Sequence, residues 1–551
     1  MTSSVSTTVN VDVEKHQMSS ELDQELVRGA DDDTVYGRKC ALVNRCLQEE
    51  VGFGRYQVEF FLLTGMGWMA DNIWLQGVAV VLTQVQQELN PSRVEFATLA
   101  LYVGLILGAS VWGTLADVIG RKLSYNVTLL IAGLFGIAAG GAPNFVAFAA
   151  LVACIGFGVG GKRAFPRAYS SVAPGILLTI NLDKPNQNVL QYLLTFLSAA
   201  WATGQLVASV VAWGFIANFS CDVDTPQADC SKANNMGWRY TFYLLGSLTC
   251  LMFVFRYFVF DLQESSKYLL ARGRDEEALE VLQHMARRNG RKINLTLADL
   301  KLVESEAGHT KSNIARRSMK ISLSHLKPLF NGRHLAINTS MTILLWGLIG
   351  LAYPLFNAFL PLYLANRVSD NDSSLDTTYR NYTIISVLGI VGPGIACLFV
   401  DWTRSNVNAD SESKPSARKF TLVGRKLVMA LSTLLTGVFL FLFTTSKTDA
   451  AVLGFSCASA LTANAMYAVL YAYTPEVFPA PHRGTGDAVC SAFNRIAGIL
   501  APVIKIATTS RTGDASATTA NLPVFISASL FVVAAVVMAF LPIETAGRAA
   551  L

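Results

Sequence analysis

The sequence predicts an all-α polytopic membrane protein, with twelve transmembrane helices in two pseudo-symmetric six-helix bundles. Three observations carry this prediction. Apolar residues make up 52% of the 551-residue chain and charged residues 15%, and the charges crowd into a few stretches, which leaves long uncharged windows. A helix needs roughly 20 apolar residues to cross about 30 Å of hydrocarbon. Twelve windows approach that length, at 57–87, 93–115, 122–142, 145–161, 189–217, 239–260, 335–364, 379–400, 425–445, 449–473, 486–507 and 521–542. A short cationic phrase, Gly113-Thr-Leu-Ala-Asp117-Val-Ile-Gly120-Arg121-Lys122, joins the second window to the third. It has a partial echo late in the chain at Gly394, Asp401 and Gly424-Arg425-Lys426, interrupted by a polar insertion, as expected of two related halves.

Residues 1–50 read as a disordered cytosolic N-terminal tail. They are polar, carry Asp31-Asp32-Asp33, and hold too few apolar side chains to offset the entropy of ordering. They also lack the cationic start and apolar core of a cleavable signal peptide. Residues 51–260 are the N-terminal bundle. On its first span Thr64, Trp68, Asp71, Asn72 and Gln76 recur every three or four residues and so share one face. An ionisable group midway along an apolar span costs several kcal/mol, so Asp71 is expected to face a water-filled cavity or to bond to a neighbouring helix. The phrase Gly113–Lys122 is too short for anything but a tight turn at one membrane face. The fourth window holds barely 17 residues, short for a span. The fifth carries a stripe at Gln191, Thr195, Ser198, Ala202, Gln205 and Ser209; Gln205 is the candidate for a cavity, while the stripe as a whole also suits close helix packing. The acidic loop 218–238 holds Cys221 and Cys230, the only pair among nine cysteines in a non-cytosolic loop, expected either as a disulfide or as two thiols.

Residues 261–334 form a cytosolic linker rich in Lys and Arg, in which Asp275–Arg288 places Ala278, Leu279, Leu282 and Met285 at helical spacing, with acids in the first turn and Arg287-Arg288 in the last. These cations, with Arg121-Lys122 and Arg425-Lys426, put both termini in the cytosol. Residues 335–545 are the C-terminal bundle and 546–551 a short tail. Asn338, Thr342, Trp346, Tyr353 and Asn357 share a face of the seventh span, Asn464, Tyr467 and Tyr471 one of the tenth, and Asp487, Ser491, Asn494 and Arg495 lie close together on the eleventh. Aromatic rings and amides converging on one chamber suit a small polar solute, although each also suits an interhelical polar contact. Asp487 stands two turns before Arg495 on roughly the same face and is the expected partner of its charge. Pro354, Pro361, Gly392-Pro393-Gly394 and Pro502 interrupt helices and permit bends.

The phrases Gly67-Trp68-Met-Ala-Asp71-Asn72-Ile-Trp74, Gln205-Leu-Val-Ala-Ser-Val-Val-Ala-Trp-Gly-Phe, Gly237-Trp-Arg239, Glu264-Ser-Ser-Lys-Tyr-Leu-Leu and Tyr473-Thr-Pro-Glu476-Val-Phe-Pro-Ala-Pro-His-Arg483-Gly-Thr-Gly resemble fungal members of the major facilitator superfamily. Within it the chain is similar to the synaptic-vesicle-glycoprotein-like and metabolite/proton symporter branch, related to sugar porters and organic-ion transporters. The resemblance covers about residues 50 to 545. One stretch departs from it: after Gly156-Phe-Gly-Val-Gly-Gly161 the chain reads Lys162-Arg-Ala-Phe-Pro-Arg167 and Ser/Pro-rich text to residue 188, either real divergence or a retained intron or misplaced exon boundary.

The resemblance implies that Asp71 is the proton-coupling acid, and the shared helix faces make Trp68, Asn72, Gln76, Gln205, Trp346, Tyr353, Asn357, Asn464, Tyr467, Tyr471, Asn494 and Arg495 the candidates to surround the solute. It implies that Gly113, where glycine allows close helix approach, with Asp117, Gly120, Arg121, Lys122, Glu264, Asp401, Arg425, Glu476, Arg483 and Glu544, forms a cytosolic gate of charge contacts between helix ends. The expected function is proton-coupled uptake of a small polar metabolite, sugar or organic acid, by alternating access; proton-driven efflux of toxic compounds and a non-transporting sensor are the alternatives. An enzyme is excluded for want of a phosphate loop, a nucleophile arrangement or metal-ligand spacing. No cofactor is expected beyond the proton gradient. The partners are the solute, protons and the bilayer, with no nucleic acid, because the cations form no basic face. The expected state is a monomer in the plasma membrane, ahead of the vacuole.

Overall fold

In the computed structural model, placement is described for residues 35–52, 54–119, 121–161, 188–222, 225–226, 229–259, 263–264, 266–306, 327–365, 374–410, 424–478, 483–508 and 517–545. Among these residues each predicted window is helical. In order the spans are Arg55–Leu89, Glu95–Ile119, Arg121–Gly140, Phe145–Gly160, Asn188–Phe219, Gly237–Val254, Arg333–Asn357 with Leu360–Ala365, Leu375–Asp410, Gly424–Thr445, Asp449–Val477, Arg483–Thr508 and Ala517–Ala539. Ten of the described helices are long and apolar enough to cross a bilayer. The first span dilutes its hydropathy with the Thr64–Gln76 face, and the fourth has 16 residues. No strand occurs among the described residues.

The chain divides into two compact units. The smaller holds, among described residues, those within 35–59 and 263–306; the larger runs over Phe60–Arg167, Gln187–Leu262 and Ser322–Leu551. In the smaller unit, helix Val35–Arg45 and the π-helical turn Cys46–Val51 pack with Ser266–Ala271, Asp275–Arg288 and Leu297–Glu306. Residues 35–50 are thus not the disordered tail expected of them. Val43, Cys46, Leu47 and Val51 are buried with Leu270, Ala278, Leu282 and Leu300, so the apolar partners that order this segment lie more than two hundred residues away and local composition cannot reveal them. Residues 1–34 lie outside the described residues. Buried Lys39 pairs with Asp275. Asn289 donates to the carbonyls of Val51 and Gly52 (both 3.1 Å) and to Gln57 Oε1 (2.8 Å), and accepts from the Tyr56 N–H at 3.0 Å. The expected linker helix is present at Asp275–Arg288, and a second follows it, started by a capping box in which the Thr296 N–H donates to Asp299 at 2.8 Å; that bond holds the Asp299 carboxyl below the usual range.

In the larger unit the second span packs on the fourth, the third on the sixth, and across the halves the second meets the eleventh and the fifth meets the eighth. Glycine permits close contact between the second and fourth spans: a Cβ at Gly156 would stand 2.3 Å from the Leu101 carbonyl oxygen. The seventh span breaks after Asn357, between Pro354 and Pro361, whereas Pro393 and Pro502 sit inside continuous helices. Cys221 and Cys230 form a disulfide with Cα atoms 5.9 Å apart. Nearby, Glu88 of the first span accepts from Arg239 Nη2 at 2.6 Å and from the Trp238 indole at 2.7 Å.

Candidate functional site

A cavity open to solvent lies between the halves of the larger unit. The first span contributes Asp71, Leu75 and Gln76, the second Thr98, Leu101, Tyr102 and Leu105, the fourth Val159 and the fifth Trp201. From the other half come Gly350, Tyr353, Pro354 and Ala358, then Tyr467 and Tyr471, then Asn494 and Arg495. The helical period therefore delivers Asp71, Gln76, Tyr353, Tyr467, Tyr471, Asn494 and Arg495 to one chamber.

The other candidates stand behind that lining. Trp68 packs on Tyr471 with ring centroids 4.7 Å apart, and Trp346 packs on Tyr471 from another side at 5.1 Å while its indole donates to Thr474 at 3.0 Å. Asn72 donates to the Trp201 carbonyl at 2.7 Å. Buried Gln205 bonds to the Tyr382 hydroxyl, and Asn357 donates to the Tyr353 carbonyl at 3.4 Å. Asn464 donates to the Ala460 carbonyl of its own helix at 2.9 Å and lies against Gly389 of the eighth span. These groups orient the wall: Tyr353 meets Tyr467 edge to face at 5.1 Å, and Tyr467 stacks on Tyr471 at 5.9 Å.

Arg495 links the two halves. Its Nη1 crosses to the other half and donates to the carbonyls of Leu105 (3.1 Å) and Gly160 (3.0 Å). The Gly160 carbonyl belongs to the last turn of the fourth span, where carbonyls lack helical partners and the helix dipole is negative, so a cation is stabilised there. Gln76 likewise crosses the halves, accepting from the Tyr382 hydroxyl at 2.5 Å, and Tyr379 donates to the Val80 carbonyl at 2.7 Å. Tyr379, Tyr382, Tyr102 and Trp201 were not among the sequence candidates. A lone aromatic residue on an apolar span carries little signal; the spacing of Tyr379, Tyr382 and Ser386, by three and four residues, is the one pattern that could have marked a face of the eighth span.

Where the ninth span starts and the tenth ends, Arg425 is ion-paired with Glu476 and donates to Thr545 at 3.0 Å, and the Lys426 N–H donates to Glu544 at 3.1 Å. All of these belong to one half. Among the described residues an added Cβ at Gly113 would meet nothing within 4 Å, and the second helix runs on past it to Ile119. Glu264 is half-buried. The side chains of Asp117, Arg121, Lys122, Asp401 and Arg483, together with Gly120 and residues 162–187, lie outside the described residues. Among the described residues no group of His, Cys, Asp and Glu is placed to hold a metal.

Paired six-helix halves around a central chamber, with one carboxylate, one guanidinium and a tyrosine wall, define a solute carrier. The family described as "Sugar (and other) transporter" matches residues 66–550. The chain is 42% identical over 527 residues to the MFS siderochrome iron transporter 1 of Ceriporiopsis subvermispora, covering 94% of this chain and 93% of the relative. It is 39% identical over 555 residues to the major facilitator-type transporter hxnZ of Emericella nidulans, covering 98% and 93%. The partially occluded inward-open structure of the xylose transporter XylE from E. coli superposes with a TM-score of 0.59 at 17% identity, over 88% of this chain and 98% of that one. The chain belongs to the sugar-transporter family of the major facilitator superfamily. It is an integral multi-pass membrane transporter that works by alternating access, and not an enzyme.

Proposed function

We propose that this protein takes up a small organic acid together with protons, across the plasma membrane and with both termini in the cytosol. The supporting observation is that Asp71 and Arg495 line the same cavity: a carboxylate that can carry a proton and a guanidinium that can receive an anionic group, within a wall of tyrosines suited to the rest of a compact solute. Protonation of Asp71 when the cavity faces an acidic exterior, and release when it faces the cytosol, makes proton and solute cross together. The charges in the cavity weigh against efflux of apolar compounds. A neutral sugar would use the tyrosines, Gln76 and Asn494 but not Arg495, so the guanidinium favours the acid over the sugar. The ion pair of Arg425 with Glu476 and the contact of Lys426 with Glu544 act in this reading as part of the cytosolic gate.

Purified protein in liposomes with an imposed pH step tests the reading against organic acids, sugars and a ferric siderochrome, the last because of the name borne by one relative. The expected result is accumulation of an organic acid that Asp71→Asn abolishes while counterflow exchange persists. Accumulation unchanged in Asp71→Asn refutes the coupling role.

A further inference from the structure

The second span presents Thr98, Leu101, Tyr102 and Leu105 to the cavity, a face that recurs every three or four residues. Thr98 is 2% exposed, and its hydroxyl oxygen is buried with no hydrogen-bond partner. Threonines on these spans ordinarily donate back to the carbonyl four residues earlier, as Thr203 does to Ala199, Thr241 to Gly237 and Thr383 to Tyr379, each at 2.9 Å. Thr98 stands in the first turn of its helix, which begins at Glu95. The carbonyl four residues back is that of Val94, ahead of the helix, and it accepts the Ala97 N–H at 3.0 Å. Among the described residues, the only other buried hydroxyl without a partner is that of Ser220, which follows the fifth span and lies outside the cavity lining.

A buried hydroxyl left unbonded costs stability, so such groups in native proteins are met by protein, water or ligand. The geometry of this face points to a ligand. Leu105 gives its carbonyl to Arg495 at 3.1 Å, and it lies two turns from Thr98 along the helix, roughly 10 Å at about 1.5 Å per residue. Tyr102 stands between the two levels on the same span, and Tyr353, Tyr467 and Tyr471 line the cavity from the other half. One aromatic ring substituted at opposite ends, with a hydrogen bond of about 3 Å at each, covers a span of that order among tyrosine rings. A saturated chain of equal length reaches both levels with less ring contact.

We infer that Thr98 is a solute contact whose hydroxyl selects, among organic acids, those carrying a hydroxyl or other polar group at the end remote from the carboxylate. This rests on the reading of Arg495 as the partner of the anionic group and extends it to the second end of the solute. The carboxylate accepts from Arg495, while Thr98, donor and acceptor in one atom, meets the remote group. An acid lacking that group leaves the Thr98 hydroxyl unbonded inside the complex, and the site discriminates against it.

Full-length protein in detergent is melted with 4-hydroxybenzoate against benzoate, and with 6-hydroxyhexanoate against hexanoate, and apparent affinities are read from the concentration dependence of the melting temperature. In at least one pair the hydroxylated acid is expected to bind about three- to tenfold tighter than its parent, the worth of one neutral hydrogen bond. That ratio should fall to near equality in Thr98→Val and return in Thr98→Ser, and Arg495→Gln should weaken both members of the pair. A preference that survives Thr98→Val, a wild type without preference, or binding by none of the four acids overturns the inference. Binding untouched by Arg495→Gln instead refutes Arg495 as the partner of the anion, whether or not Thr98 sets the preference. Without any acid, Thr98→Val should melt at or above the wild-type temperature, because an apolar group replaces an unbonded hydroxyl of similar shape. A lower melting temperature shows the hydroxyl bonded within the fold and overturns the inference independently of the acids.

Discussion

The most demanding test of the packing concerns Arg239 and Glu88 beside the disulfide. Their side chains are 1% and 6% exposed, and their Nη2 to Oε1 distance is 2.6 Å. Arg239 Nη1 also donates to the carbonyls of Gly140 and Ala142, both at 2.9 Å, and the guanidinium stands 4.3 Å from the Trp238 ring centre. Arg239→Gln leaves a buried carboxylate with the Trp238 indole alone and takes the donor from two carbonyls. Breaking one side of a buried pair costs about 3–5 kcal/mol, and this network lies at the upper part of that range because three acceptors lose a charged donor together. Glu88→Gln keeps the shape, but an amide offers one acceptor oxygen where the carboxylate offers two, so either the indole or the guanidinium loses its partner, at about 3 kcal/mol. The double substitution leaves no uncompensated charge and should cost at least ~2 kcal/mol less than the sum of the singles. Unfolding in mixed micelles with rising SDS, followed by tryptophan fluorescence, measures all four corners of the cycle. Single substitutions costing under about 1 kcal/mol, or costs that simply add, would refute the assignment of this network as a charge-compensated lock between the first, third and sixth spans.

Three further outcomes follow from the same geometry. Cys221→Ser should lower unfolding stability by about 2.7 kcal/mol, the loop-closure value for a bridge spanning roughly ten residues, and mass analysis after alkylation should show the wild-type pair unmodified until reduced. Burial, with Glu50 and Glu49 beside it, pushes the Cys46 thiol up to about 12, so its thiolate fraction at pH 8 is about one in ten thousand. Maleimide labelling there should run roughly a thousandfold slower than at an ordinary thiol, rise tenfold per pH unit, and quicken in Glu50→Gln; a rate independent of pH contradicts this. Gly156→Ala drives a methyl onto the Leu101 backbone and should cost about 1–3 kcal/mol, whereas Gly454→Ala, where a Cβ meets nothing within 4 Å among the described residues, should leave stability unchanged or raised in the same SDS titration.

The spans were legible because hydrocarbon thickness imposes its own length on the sequence, and most helix ends lie within a few residues of the predicted windows. The cavity face was legible because a period of 3.6 residues specifies direction. It does not specify depth. Asn464 and Tyr467 share a face, yet Asn464 bonds back to Ala460 at the eighth-span contact while Tyr467 reaches the chamber. Arg256 lies inside the predicted sixth window and continues the buried face of Leu245, Thr249 and Met252, yet a lone cation there gave no sign of the Tyr125 and Leu63 partners that hold it. The helix at Val35–Arg45 was illegible for another reason: its mean composition is polar, and the surface that orders it comes from residues beyond 265.

The two halves bring different chemistry to the chamber. The first bundle supplies Asp71; the second supplies Tyr353, Tyr467, Tyr471 and Arg495. The cavity's carboxylate and its guanidinium therefore sit on opposite sides of the surface between the halves. Arg495 ties that surface together at the depth of the cavity, because its donor is on the eleventh span and its acceptors, Leu105 and Gly160, are on the second and fourth. A stroke that parts the halves there breaks both bonds and strands the fourth span's terminal carbonyl, unless another donor or water replaces the guanidinium. An anion arriving at Arg495 competes with those carbonyls for the same N–H groups and weakens the tie. In the proposed cycle that exchange at Arg495, beside the Gln76–Tyr382 and Tyr379–Val80 bonds that also cross the halves, need only reach a few kcal/mol to shift the balance between two states.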